Sequence, residues 1–330
     1  MAPKRSKKNP ITPSVTNRSL SRHSRRRHRS HRIHGRQNRP IVILESRSES
    51  GFSELPRDIL SRIASAFDVP NLRAASLVCR SWWESLQTLR EAMLFLHWGK
   101  RFKQGRRSDK ALNSFHKGAA KGSALAMVDA GLMYWGMGRK DEARVLYRQA
   151  AELGYSVGQC NLGISYLEDE KPDPKEAVKW FLLAANSGYP RAQYSLGLAF
   201  QYGRGVDTDV FEAAKWYLRA AEGGNARAMY NISLCYSMGE GKPLCHQQAK
   251  IWLKRAANCG HGKAQFELGS HLLESGEVMQ ALVYLELATR GGIDAALPIK
   301  EQTLLSLSQV SRLRVISNVD KWHPTKFRSR

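Results

Sequence analysis

The chain has 330 residues, and 52 Lys and Arg against 29 Asp and Glu give it a formal charge of +23. A hydrophobic fraction of 42% with eight tryptophans supplies enough core-forming side chains to exclude wholesale disorder. No run of fifteen uninterrupted apolar residues occurs, which excludes a transmembrane helix, leaves no apolar segment for a secretory signal, and sets the expectation of a soluble, intracellular chain of one extended or two compact domains.

Charge is concentrated at the start. Residues 1–50 hold fourteen Lys and Arg against Glu45 and Glu49, a net +12, and the remaining 280 residues carry +11. Almost no core-forming residue precedes Ile41-Val42-Ile43-Leu44, so burial cannot offset the ordering entropy and a disordered tail is predicted. Lys4-Arg5-Ser6-Lys7-Lys8 and Arg25-Arg26-Arg27-His28-Arg29 are clusters of the kind that importins or nucleic acids read. The Arg/Ser-rich, acid-poor composition also suits an organellar transit peptide. Pro3 and Pro10 interrupt the helix a presequence needs, which favours the nucleus, the cytoplasm or both. His23, His28, His31 and His34 lie in this tail and lack the ordered geometry of a metal site. The five cysteines, Cys79, Cys160, Cys235, Cys245 and Cys259, are odd in number and show no CxxC spacing, so free thiols are expected.

From Gly51 the composition changes. Pro56 suits a first helical turn, Asp58 the positive end of the helix dipole, and Ile59, Leu60, Ile63 and Phe67 fall on one face. Asp68-Val69-Pro70-Asn71 breaks that helix, and Asn71 can cap a second carrying Leu72, Ala75, Ser76 and Cys79. A third apolar stretch has Val78, Trp82, Trp83, Leu86 and Leu89 at helical spacing. Three short helices are too few for a large core, so the module needs a partner.

Leu55-Pro56, Asp58, Ile59-Leu60, Ile63, Leu72 and Val78-Cys79-Arg80-Ser81-Trp82 follow in the order and spacing of the F-box, which this segment resembles over roughly residues 52–98. It departs at Ala64, where that family often carries a larger aliphatic residue. The resemblance implies docking onto a Skp-type adaptor, and through it a cullin, by Leu55, Pro56, Ile59, Leu60, Ile63, Leu72, Val78 and Trp82. An exposed apolar helical face on an undersized module agrees with that role.

Self-comparison then reveals a repeat over residues 107–297. The phrase beginning Glu142-Ala143 and running through Tyr147 to Ala150-Ala151 and Gly154 returns at Ala177, Ala213, Ala249 and Ala281, in about five copies. A second phrase, Ala-x-x-x-Leu-Gly, alternates with it, as in Ala192–Gly197 and Ala264–Gly269. Each unit is expected to be a helix pair whose small residues let backbones approach, and the pairs must stack to bury their apolar stripes. The unit resembles the Sel-one-like repeat, a relative of the tetratricopeptide repeat. Its fullest copy, residues 192–224, matches that family's Gly-x-Gly-Val-x-x-Asp loop at Gly203-Arg204-Gly205-Val206-Asp207-Thr208-Asp209, with glycines suited to positive φ and Asp209 to a helix cap. The second copy has Asp169-Glu170-Lys171-Pro172-Asp173-Pro174 instead, leaving its loop geometry in question. Ala111–Ala120 reads as a prefatory helix, Ile299–Ile316 within residues 298–330 as a capping helix, and Lys321–Arg330 as a loose basic end.

Neither Gly203-Arg204-Gly205 nor Gly239-Glu240-Gly241 fits a nucleotide-binding loop, and no nucleophile or metalloenzyme motif occurs, so no catalytic residue, metal or cofactor is assigned. Trp180, Trp216 and Trp252 occupy one repeat position and are expected to be core. The fold expected is all-α: a disordered basic tail, a three-helix F-box over 51–98 and an α-solenoid. The function implied is a non-catalytic receptor of a ubiquitin ligase, similar to plant F-box substrate receptors, whose solenoid holds an unknown target protein. Two alternatives stay open: a nuclear scaffold or nucleic-acid-associated adaptor using the tail, and an F-box protein acting with the adaptor outside a ligase.

Overall fold

The computed structural model describes residues 80–325. The basic tail, the first two helices expected after Gly51, and Leu55, Pro56, Ile59, Leu60, Ile63, Leu72 and Val78 lie outside the described residues. Among the described residues there are fourteen α-helices and no strand. They pair in chain order: α1 (Arg80–Gln104) with α2 (Ser108–Ala120), α3 (Ala124–Gly136) with α4 (Lys140–Glu152), and α5 (Ser156–Leu167) with α6 (Pro174–Asn186). Next come α7 (Pro190–Tyr202) with α8 (Val210–Glu222), α9 (Ala226–Met238) with α10 (His246–Asn258), and α11 (Gly262–Glu274) with α12 (Val278–Arg290). Two closing helices follow, α13 (Ala296–Leu305) and α14 (Gln309–Asp320).

Helix α8 shows why the unit folds. The Asp209 carboxylate accepts from the backbone N–H of Phe211 at 2.9 Å and Glu212 at 3.0 Å, satisfying two of the donors a helix start leaves open. Ala213, Ala214, Trp216, Tyr217, Ala220 and Ala221 then form one buried stripe. Gly224 ends the helix at φ +92°, where Asn225 N donates back to the Ala220 carbonyl at 2.9 Å. In the second copy Asp173 caps α6 through Glu176 N at 3.0 Å and Pro174 opens the helix, so proline and aspartate replace the glycine loop without loss of the cap.

Close approach between paired helices rests on glycine facing a ring. A Cβ on Gly197 would lie 2.6 Å from the Tyr217 ring, and one on Gly163 2.7 Å from the Phe181 ring. Between pairs, alanines and a buried glutamine make the joint. Gln159, Gln193 and Gln265 each send Nε2 to a carbonyl eight residues back, on Ala151, Ala185 and Ala257, at 3.4, 3.2 and 3.1 Å. At the other two equivalent joints the residue is methionine, Met127 and Met229, both buried.

The array begins earlier than its sequence phrases do. Ala111 and Phe115 on α2 are fully buried, and Phe115 sits against Gly99 of α1 as Tyr147 sits against Gly131. The C-terminal half of α1 is therefore the first helix of a sixth pair. A helix that runs unbroken through residue 98 to Gln104 joins the end of the expected F-box segment to the solenoid, where a boundary between 98 and 107 was expected.

The C-terminal end also differs from expectation. In place of one closing helix there are two, because Ser308 caps a new start by accepting from Ser311 N at 3.3 Å. Val315 and Val319 of α14 cluster with Leu282 and Leu287 of α12, covering the face a further repeat would otherwise bury. Residues expected to be loose return to the array: Trp322 joins that cluster, and Thr325 N donates to the Asn258 carbonyl at 2.9 Å.

Candidate functional site

Helix α3 touches both α1 and α5, which sets those first helices side by side, and the open cavities along the later first helices make up a groove. The second residue of the first helix is exposed at Leu125, Arg191, Arg227 and Lys263 and half-buried at Val157 in the five pairs from α3 onward. The position is aliphatic in two pairs and basic in the next three.

Two cavities open along this groove. One, of about 610 Å³, lies across α5, α7 and α9, and Ile164, Leu167, Val178, Phe181 and Leu198 give it an apolar floor. Arg191, Arg204 and Arg227 edge it, with Glu168 the only carboxylate in its wall. Arg204 is delivered by the glycine loop: Gly203 and Gly205 adopt φ +65° and +78°, and Arg204 N donates to the Ala199 carbonyl at 3.0 Å. Among the described residues, none of these three arginines is in an ion pair.

The second cavity, of about 710 Å³, lies between α9, α10 and α11, with Leu234 and Leu253 beneath and His246, Lys250, His271, Glu267 and Glu274 around it. Glu267 is already engaged, accepting from the Tyr230 hydroxyl at 2.5 Å. Between the cavities His261 caps α11, its Nδ1 accepting from Ala264 N at 3.3 Å while its ring stacks on Tyr230 at 4.7 Å. Burial, then the charges of Arg227 and Lys263, lower its pKa from the usual 6.5 to about 4, so the ring is neutral near pH 7 and serves as an acceptor.

Burial pushes the Cys160 thiol up to about 12 and Cys235 to about 11, which keeps both protonated. Among the described residues no group of three His, Cys, Asp or Glu is placed to hold a metal, and no helix is long and apolar enough to cross a membrane. Trp216 and Trp252 are buried, with Arg219 and Arg255 stacked on them at 4.7 and 4.6 Å, so these aromatics pack the scaffold. Trp180 is half-buried beside the same kind of core. Of the adaptor-contact candidates only Trp82 falls within a described element, the first turn of α1. The basic groove residues were legible in principle, since Arg191, Arg227 and Lys263 recur at one repeat position.

Comparison with known proteins fits this architecture. Residues 124–155, 156–189, 190–225 and 226–261 match the Sel1 repeat, each match covering one helix pair, and residues 52–82 match the F-box domain. An F-box protein of Arabidopsis thaliana is 60% identical over 282 residues, spanning 83% of this chain and 80% of its own. A chitin synthase regulator of Saccharomyces cerevisiae is 41% identical over only 68 residues, 19% of this chain and 10% of the regulator. Among solved structures, a protective antigen of uropathogenic Escherichia coli with the SLR fold superposes with a TM-score of 0.60 at 22% identity, covering 81% of this chain and 63% of the antigen. A Sel1 repeat protein of Oxalobacter formigenes gives a TM-score of 0.58 at 28% identity, over 69% of this chain and all of its own.

Proposed function

The chain belongs to the F-box proteins that carry Sel1 repeats, and from that premise we propose that it is the substrate-recognition subunit of a Skp–cullin–F-box ubiquitin ligase. The F-box holds the Skp-type adaptor, the groove holds the target protein, and other subunits transfer ubiquitin. Rate enhancement then comes from raising the effective concentration of target lysines near the charged conjugating enzyme. The chain positions and does not catalyse. The basic clusters at residues 4–8 and 25–29 serve as an importin-read address, placing the receptor in the nucleus as well as the cytoplasm.

The observation that supports this reading best is continuity. The F-box match ends at residue 82, inside α1, and the same helix runs on to pack Gly99 against Phe115 as the opening of the solenoid. A single helix thus serves as both the end of the adaptor-binding segment and the start of the target-binding array, which is what a tethering receptor requires.

Affinity purification with the proteasome inhibited tests the proposal, comparing the intact protein with the Leu55→Ala, Pro56→Ala double variant. Adaptor and cullin should co-purify with the intact protein and be lost from the variant, while groove-bound clients stay with both at equal helical content. Adaptor retained by the double variant, or absent from the intact protein, contradicts it.

A further inference from the structure

We propose that the cavity across α5, α7 and α9 takes an extended acidic peptide segment, its carboxylates meeting Arg191, Arg204 and Arg227 and an apolar side chain entering between Ile164, Leu167 and Leu198. The inference rests on the receptor reading above and names the chemistry of the target segment.

The charge arrangement carries it. Many cations on the second helices and loops have partners: Lys179 with Glu176 and Lys215 with Glu212 at 2.7 Å each, Arg144 with Asp169 at 2.9 Å, and Arg219 and Arg255 over tryptophan rings. The three arginines of the groove have no carboxylate partner among the described residues: Arg204 lies over the Tyr202 ring at 5.6 Å and Arg191 hydrogen-bonds Tyr189, contacts that leave their charge uncompensated, and one wall carboxylate, Glu168, stands among three guanidiniums. Arg191 and Arg227 reach the cavity from equivalent places on α7 and α9, one repeat apart, and Arg204 enters from the glycine loop that follows α7. Three fork-shaped donors around an elongated apolar floor suit several carboxylates on one extended chain.

A nucleic acid fits the site less well. Sequence-tolerant binding of single strands needs exposed aromatic faces. Phe181 is buried in the floor, and the Tyr194 ring is committed to Tyr217 at a centroid distance of 5.9 Å. Tyr202 is exposed but already carries Arg204 over its ring at 5.6 Å, and the floor left to a ligand is mainly aliphatic.

The test uses the full chain and an array of short peptides in which the number of glutamates and the position of a single leucine are varied, with glutamine-for-glutamate and serine-for-leucine counterparts. Binding is read by fluorescence anisotropy at physiological salt, for the unaltered protein and for the Arg191→Gln, Arg204→Gln, Arg227→Gln triple variant. Glutamate-rich, leucine-bearing peptides should bind roughly tenfold or more tighter to the unaltered protein than to the triple variant, and the glutamine counterparts should bind neither well. The basic tail adds the same background attraction to both proteins, and the serine-for-leucine peptides, which keep the charge and lack the apolar side chain, measure that background so that it is subtracted before the two are compared. Circular dichroism checks the fold, and the single variant Arg204→Glu, confined to an exposed loop, keeps the test available should the triple variant unfold.

Equal binding by the two proteins, no preference for glutamate over glutamine, or an oligonucleotide bound more tightly than any peptide through the same arginines would overturn the proposal. Adaptor co-purification with the triple variant separates the two levels of inference. If the adaptor is held and no acidic peptide distinguishes the proteins, the groove chemistry falls and the receptor reading stands. If acidic peptides bind through the arginines and the adaptor does not, the receptor reading falls alone.

Discussion

The two halves of the groove share one scaffold and differ in what they present. Under the half across α5, α7 and α9 lies Phe181 against Gly163, and under the half across α9, α10 and α11 lies Leu253, which lines its cavity together with Ser233. The loop after each first helix repeats its glycines but swaps its central charge: Arg204, after α7, lines the first cavity, and Glu240 stands in its place after α9. Small residues and rings fix where backbones go, while a few exposed positions, free of packing duty, decide the chemistry of each cavity. Recognition can therefore change from repeat to repeat without disturbing the fold.

The largest expected effect tests the shared scaffold. Phe181→Ala under the basic half should cost about 3–5 kcal/mol and Leu253→Ala under the other half about 2–5 kcal/mol, read from denaturant midpoints, since both side chains are buried. A loss of well under 1 kcal/mol at either place would mean that half does not rest on its core as described. Next comes the polar joint. Gln193→Met copies the residue found at position 229 and removes the side-chain donor to the Ala185 carbonyl, which keeps Gly188 N at 3.0 Å, so the expected loss is that of one hydrogen bond, about 0.5–1.5 kcal/mol. Met229 supplies the internal control, because a joint already lacking the glutamine should tolerate Met229→Leu with under about 1.5 kcal/mol lost.

Charge exchange sharpens the comparison at the next level. Arg204→Glu should weaken acidic-peptide binding roughly tenfold with stability unchanged, while Glu240→Arg should leave that binding at or above its starting value. Opposite or equal responses would show that the loop charge does not set the chemistry. The smallest effect lies at the boundary between the halves. His261 is held neutral, its pKa about 4 when folded against the usual 6.5 when unfolded. The unfolded chain takes up the proton first, so the contribution of His261 to stability is complete above pH 6.5 and erodes as pH falls through 6.5 toward 4. Partial exposure damps the size. His261→Asn, which places there the residue that caps α9 at Asn225, should keep the cap and flatten this part of the pH profile; an unchanged profile would remove His261 as the cause.

How much of this was readable beforehand follows from what each feature demands of the chain. Helix pairs meeting at van der Waals distance tolerate little besides glycine and alanine at the joint, so Gly131, Gly163, Gly197 and Gly269 with the paired alanines announced the repeat period. Asp209 as a cap and the positive φ of Gly203 and Gly205 were legible for the same reason, each being a local steric or hydrogen-bonding requirement. The second helix of the opening pair was read as a prefatory helix, but its partner was missed because the repeat features of α1, Ala92 and Gly99, are embedded in a helix 25 residues long. At the other end Ser308 carried a cap signal, but the apolar residues on either side read as one stretch. The groove was the hardest to foresee. Its arginines recur at a regular place, yet nothing in spacing alone separates a residue at the rim of a cavity from one on an outer face such as Lys215, which is paired with Glu212.

The claim that this chain bridges an adaptor to a target is tested most directly by reconstitution with purified components. The full chain and a Skp-type adaptor are mixed and passed over size-exclusion chromatography with light scattering, beside the Leu55→Ala, Pro56→Ala variant. A stable one-to-one complex formed by the unaltered chain and lost by the variant, with the helical signal unchanged, is the expected result. Separate elution of the unaltered chain and the adaptor would contradict it.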